Sequence, residues 1–120
     1  MAKSVFKEYL DKITSEIEGV HSIFLISDEG IIIEGVKPDA SLSGDEIAAY
    51  ITGITKNIRN LLHEKMNGDL KEVIFITDNL KTCIYILDQN IIMLNLNQDG
   101  EFSKGCHILK KYAKKIQSEF

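Results

Sequence analysis

The sequence predicts a three-layer α/β/α sandwich built on a five-stranded antiparallel sheet, with its elements in the order α-β-β-α-β-β-β-α. Three observations carry this prediction. Short polar turns separate the strand candidates, so neighbours in sequence run antiparallel. Several strands are apolar on consecutive residues, namely Ile31-Ile32-Ile33, Val73-Ile74-Phe75-Ile76 and Ile91-Ile92-Met93-Leu94, which means that both sheet faces are covered. Three amphipathic segments are available to cover them, two on one face and one on the other. With 120 residues there is material for one hydrophobic core and little for a second, so residues 1–120 are expected to form a single domain.

The first helix is expected from Lys3 to Glu18. There Val5, Phe6, Tyr9, Leu10, Ile13 and Ile17 recur every three or four positions, and Gly19 stands where a C-terminal cap belongs. Ile23–Ile26 and Ile31–Ile33 read as a hairpin around the turn formers Ser27, Asp28, Glu29 and Gly30. A polar loop, Lys37–Gly44, carries the sole proline, Pro38, and gives way to Asp45 and Glu46, whose charges suit a helix start. The middle helix continues to about Met66 and is closed by Asn67, Gly68 and Asp69. Val73–Thr77, Thr82–Leu87 and Ile91–Leu96 form a meander through the turns Asp78-Asn79 and Asp88-Gln89-Asn90. The last helix, Phe102–Phe120, sets Phe102, Cys106, Leu109, Tyr112, Ala113 and Ile116 on one face.

On a wheel of about 100° per residue, Ile47, Tyr50, Ile51, Ile54, Ile58, Leu61 and Leu62 of the middle helix share one broad arc, flanked by Ala48 and Thr55. This arc is expected to pack on the sheet. The opposite arc presents Ala49, Thr52 and Gly53, with no charge between Glu46 and Lys56. Gly53 costs about 1 kcal/mol of helix propensity without a local reason, so this small, uncharged surface is expected to receive another helix. Mere tolerance of Ala and Gly on an exposed face is the plainer alternative. Val73–Thr77 begins the meander and fits a sheet edge, with neither proline nor central lysine to guard it. Two copies paired edge to edge beside their middle helices would cover both features in a two-fold homodimer.

A net charge of −4, with 44% hydrophobic and 27% charged residues, excludes a disordered or collagen-like chain. The basic residues concentrate only at Lys110, Lys111, Lys114 and Lys115, opposite Ile108, Leu109, Tyr112 and Ile116. They read as the solvated face of a helix, with contact to an acidic partner or anionic lipid as the alternative, and no nucleic-acid partner is expected. Cys83 lies in an apolar run and Cys106 stands apart, with no C-x-x-C pair and no secretory leader. A reduced, cytoplasmic setting is expected. No apolar stretch reaches the roughly 18–20 residues of a membrane span, and Ala2 stands where myristoylation needs glycine.

No catalytic constellation is visible. Gly100 to Gly105 has the spacing of a phosphate-binding loop, but Cys106 and His107 occupy the places of the required lysine and hydroxyl residue. Cys106 beside His107 suggests a thiol and its base, but neighbours on a helix point about 100° apart and do not face each other, so a surface histidine beside a half-buried cysteine is expected. His21, His63 and His107 lack metal-ligand spacing, and the pairs Asp28-Glu29 and Asp45-Glu46 suit a turn and a helix start. No catalytic residue, cofactor or metal site is therefore expected.

The order of elements resembles the Roadblock/LC7 family across essentially the whole chain. So do Gly19-Val20 before the first strand, Asp28-Glu29-Gly30 in its hairpin, Ala48-Ala49 in the middle helix, and Gly68-Asp69-Leu70-Lys71-Glu72-Val73 leading into the third strand. The resemblance implies a profilin-like Roadblock fold and a dimer in which the middle helix and the strand after it meet their counterparts. Carried onto matching positions, it implies a dimer surface of Ala49, Thr52, Gly53 and Lys56 with Val73, Ile74, Phe75 and Ile76. It also implies a non-catalytic regulator or scaffold of a small Ras-like GTPase. Arg59, the only arginine, is a candidate to reach such a GTPase, together with Asn60 and His63; a local salt bridge or solvent contact is its plainer reading. Bacterial members that act on a polarity GTPase do so as homodimers and can stimulate its hydrolysis, some with a tail beyond the last helix; the sequence ends at Phe120, so the resemblance does not carry a tail-dependent activity over. Two alternatives remain: an adaptor subunit of dynein light-chain or signalling-scaffold type that pairs with other Roadblock chains, and a longin-like trafficking adaptor of similar element order.

Overall fold

In the computed structural model the described residues are 4–36 and 44–120. Lys3, at the expected start of the first helix, and the Pro38 loop over residues 37–43 lie outside them. The eight elements follow in the expected order: α1 (Val5–Glu16), β1 (Val20–Ile26), β2 (Ile32–Val36), α2 (Gly44–Lys65), β3 (Glu72–Ile76), β4 (Leu80–Ile86), β5 (Ile91–Asn97) and α3 (Phe102–Gln117). Ser4 caps α1, its hydroxyl accepting the Lys7 amide at 3.1 Å. Among the described residues no helix is long and apolar enough to cross a membrane.

All neighbouring strands are antiparallel, and the sheet order is β2-β1-β5-β4-β3. Helices α1 and α3 share one face, where Leu10, Ile13 and Leu109 pack on Ile23, Leu25, Ile92 and Leu94. Helix α2 lies on the other face, with Ala48 among Phe24, Ile26, Ile84 and Met93. Consecutive residues of β1 and β5 thus enter different cores, which is why these strands are apolar without alternation.

One buried row on the α2 face is polar. Thr82 Oγ1 donates to Asn95 Oδ1 at 2.6 Å, and Asn95 Nδ2 donates to Ser22 Oγ at 3.0 Å. The row ties β4, β5 and β1 together, and a one-residue slip would break it while turning every side chain to the wrong face. Ser22 belongs to β1 because that strand begins at Val20, earlier than the expected Ile23.

Gly19 does not cap α1. The helix stops at Glu16, and Ile17 is already extended at φ −126° and ψ 130°. Gly19 instead adopts φ +79°, and a Cβ there would lie 2.7 Å from the Cα of Gly100. Its carbonyl accepts the Asn97 amide at 2.8 Å, so the two glycines let the entry to β1 close against the exit from β5. At the far end α3 stops at Gln117, short of the expected Phe120, and the Phe120 ring stacks on Phe6 with centroids 4.8 Å apart. Gly19→Ala should destabilise the protein by about 1–3 kcal/mol through its left-handed backbone and the contact with Gly100. In urea titration the midpoint falls while the slope stays unchanged.

Candidate functional site

Helix α2 carries small residues on the side that meets the sheet. Its buried residues are Gly44, Ala48, Thr52 and Thr55, spaced so that they form one stripe along the helix. The fit is close: a Cβ at Gly44 would lie 3.0 Å from both Phe24 and Ile32, and one at Gly30 in the β1–β2 turn would lie 3.4 Å from the Ala49 Cα. Thr52 and Thr55 are buried at no hydrogen-bonding cost, because their hydroxyls donate to the Ala48 and Ile51 carbonyls at 2.7 and 2.9 Å.

The bulky residues consequently point away. Tyr50, Ile54 and Leu61 are 71%, 44% and 55% exposed, and they fall within about 40° of one another on the helical wheel, opposite the small stripe. This corrects the expectation that the whole apolar arc packs on the sheet. Ile47, Ile51, Ile58 and Leu62 are half-buried at its flanks, whereas Tyr50, Ile54 and Leu61 form an outward ridge. Thr52, expected on the outer surface, is buried against the sheet of its own chain. Ala49 and Gly53 are exposed as expected, and a Cβ at Gly53 would meet nothing within 4 Å. Lys56 is exposed and pairs with Asp28 at 3.6 Å.

Strand β3 lies at a sheet edge, as its place in the meander predicted. Val73 and Phe75 are half-buried against the core under α2, while Ile74 and Ile76 alternate to the other face and are exposed. The opposite edge, β2, is guarded: Glu34 accepts the Ser4 hydroxyl at 2.8 Å, and the Lys7 ammonium donates to the Gly35 carbonyl at 3.0 Å. Edge β3 carries no such charge within Val73–Ile76, so its free backbone groups and isoleucines are left open to another chain.

The candidate contacts Arg59, Asn60 and His63 come together on one cleft of about 1000 Å³, which Lys71, Asp88 and Lys114 also line. Arg59 is tied locally, its Nη2 donating to the Asp88 carbonyl at 3.2 Å, so the guanidinium bridges α2 to the β4–β5 turn. His63 Nδ1 lies 3.6 Å from an Asp69 carboxylate oxygen. On α3, Lys110 pairs with Glu72 at 3.2 Å, and the Lys111 and Lys115 ammonium groups lie over the Tyr112 ring at 5.4 and 5.2 Å. These lysines form an exposed helix face with local partners.

No family model matches the chain, and no curated protein matches it. Solved structures do. A Roadblock/LC7 domain from Streptomyces avermitilis aligns with a TM-score of 0.84 at 14% identity, over 97% of this chain and 98% of that one. Myxococcus xanthus MglB aligns with a TM-score of 0.89 at 11% identity, over 100% and 98%. A structure described as MglB with tetrameric arrangement aligns with a TM-score of 0.83 at 13% identity, over 98% and 92%. The chain has the Roadblock/LC7 fold.

The orientation of α2 decides what substitutions there should do. In the single chain Ile54→Glu places its charge outside the core and should leave the monomer folded, with its stability changed by about 0.5 kcal/mol or less at concentrations too low for self-association. Ala48→Glu buries an uncompensated charge and should cost about 3–5 kcal/mol. Circular dichroism with urea titration separates the two.

Proposed function

We propose that this chain is a non-catalytic regulator or scaffold that works as a homodimer and binds a small Ras-like GTPase, modulating its hydrolysis or its localisation. The observation that carries the reading is the outward ridge Tyr50-Ile54-Leu61 on the same chain as the unguarded β3 edge. An antiparallel β3–β3 pair has its two-fold axis perpendicular to the sheet, so the sheet continues across both copies and the two α2 helices share one face. Ile54 and Leu61, with Gly53 at their flank, then meet the partner's helix, while Ala49 and Lys56 lie toward the β1–β2 turn, Lys56 on the Arg59 cleft. Val73, Ile74, Phe75 and Ile76 supply the strand contact. Full burial of a large apolar side chain contributes about 1.5–3 kcal/mol, enough for three ridge residues and an edge strand to hold a dimer against the cost of association.

The GTPase half rests on the resemblance to the Roadblock/LC7 family and on the shared fold with MglB. The tetrameric arrangement of one MglB structure of the same fold supports self-association. Arg59 lies on the side of α2 away from the ridge, so pairing through the ridge leaves the cleft with Arg59, Asn60 and His63 free for the second partner. The two cysteines are free thiols, in keeping with a reducing cytoplasmic setting.

Light scattering should give twice the chain mass of 13.5 kDa, and Ile54→Glu should weaken the dimer by about 2 kcal/mol or more, roughly thirtyfold. Immobilised protein should retain a Ras-like GTPase from its source cell in a manner that depends on the bound nucleotide. Arg59→Ala should weaken that retention about tenfold while leaving the dimer intact. A monomer at all concentrations, or no nucleotide-dependent retention of any such GTPase, would contradict the corresponding half.

A further inference from the structure

On the sheet face away from α2, three side chains from three elements converge beside the β3 edge. Glu72 opens β3, Cys83 lies in β4 and Cys106 in the second turn of α3, and their ligand atoms all lie within 4.8 Å of one another. The Cys83 thiol donates to Glu72 Oε1 at 3.2 Å, and the Lys110 ammonium holds Glu72 Oε2, also at 3.2 Å. One carboxylate oxygen therefore faces the thiols while the other is fixed from behind. Cys83 is fully buried, and Glu72 and Cys106 are half-buried.

We propose that Glu72, Cys83 and Cys106 form a binding site for a divalent metal ion of the zinc class, with Lys110 positioning the carboxylate. Two sulfur ligands select zinc and its neighbours over magnesium or calcium, which require oxygen. Tetrahedral zinc with bonds of about 2.3 Å to sulfur and 2.0–2.2 Å to oxygen spaces its ligand atoms roughly 3.5–3.8 Å apart, a spacing these groups reach with small side-chain movements. Three protein ligands leave a fourth place for water, the pattern of open zinc sites.

Charge also balances. Two thiolates and a carboxylate carry three negative charges, which the divalent ion and the Lys110 ammonium together neutralise. Without a cation, burial first, then the neighbouring groups, pushes the Cys83 thiol far above its ordinary range, and burial likewise raises Cys106. Both stay protonated and inert. On binding, two S–H bonds are exchanged for two sulfur–metal bonds, both protons leave to solvent, and no oxidation state changes. Lys110, its ammonium favoured by the hydrogen bond to Glu72, plays the outer part that orients a metal-bound carboxylate. The bound ion would fasten edge strand β3 to β4 and α3. No spacing motif announces residues 72, 83 and 106, because only the β3–β4 register and the docking of α3 bring them together.

The test is titration of the metal-free full chain, kept reduced by a phosphine, with cobalt(II) as a coloured stand-in for zinc. The result expected is a near-ultraviolet sulfur-to-cobalt band that saturates at one ion per chain and is bleached by zinc, together with a rise in Tm when zinc is added. Cys106→Ser and Glu72→Gln are the deciding variants, since neither alters the fully buried core. Each should weaken cobalt binding by more than tenfold, Lys110→Met by about tenfold, with the circular dichroism of all three unchanged. Absence of the sulfur–cobalt band, or an unchanged band and affinity in Cys106→Ser or Glu72→Gln, would overturn the proposal.

Discussion

Gly44, Ala48 and Thr52 bring the backbone of α2 into van der Waals contact with β2, Phe24 and the β1–β2 turn, and the remaining features of that helix follow from this close approach. A helix that rides so near the sheet has no room beneath it for isoleucine or tyrosine. Tyr50, Ile54 and Leu61 are turned to the other side, where they are exposed among the described residues. Small residues inside and large ones outside invert the usual apolar economy of a surface helix, and an apolar ridge of this kind on a folded chain marks a contact surface.

Element order, the two-plus-one placement of helices and the edge position of β3 were legible because each depends on local pattern: periodicity for the helices and turn length for the antiparallel pairing. Coverage of both faces holds for Ile91–Leu94 but not for the runs with Ile31, Ile33, Ile74 and Ile76, which are exposed. The facing of α2 was not. Hydropathy places Ile54 inside and Thr52 outside, whereas the packing distance decides the opposite, and the threonine hydroxyls permit it by bonding to their own helix. The readable clue was the Gly44-Ala48-Thr52 spacing of small residues, which hydropathy splits between the loop, the flank of the core arc and the outer arc. Of the residues expected on the outer surface, Ala49, Gly53, Ile74 and Ile76 are exposed, Thr52 is buried and Val73 and Phe75 are half-buried, while Tyr50, Ile54 and Leu61, expected inside, are exposed. Gly19 was misread for a different reason: its contact, Gly100, is far away in the chain, as are the members of the Glu72, Cys83 and Cys106 cluster from one another.

The surfaces that remain divide the molecule sensibly. In the proposed dimer the ridge and the β3 edge face a second copy, the Arg59 cleft opens on the side of α2 away from the ridge, and the thiol cluster sits under the same edge strand on the opposite face of the sheet. An ion held there would stiffen the strand on which self-association depends, so the two proposals meet at β3 while resting on different residues.

In the proposed dimer a second copy completes this fold at α2 and β3. Hydrogen exchange followed residue by residue across a range of protein concentrations tests it most directly, since the outward amides of an edge strand exchange freely until another strand pairs with them. The account predicts that protection of the Val73–Ile76 amides rises with concentration in wild-type protein and stays low in Ile54→Glu. Fast exchange at β3 at every concentration, or protection that appears at β2 instead, would contradict it.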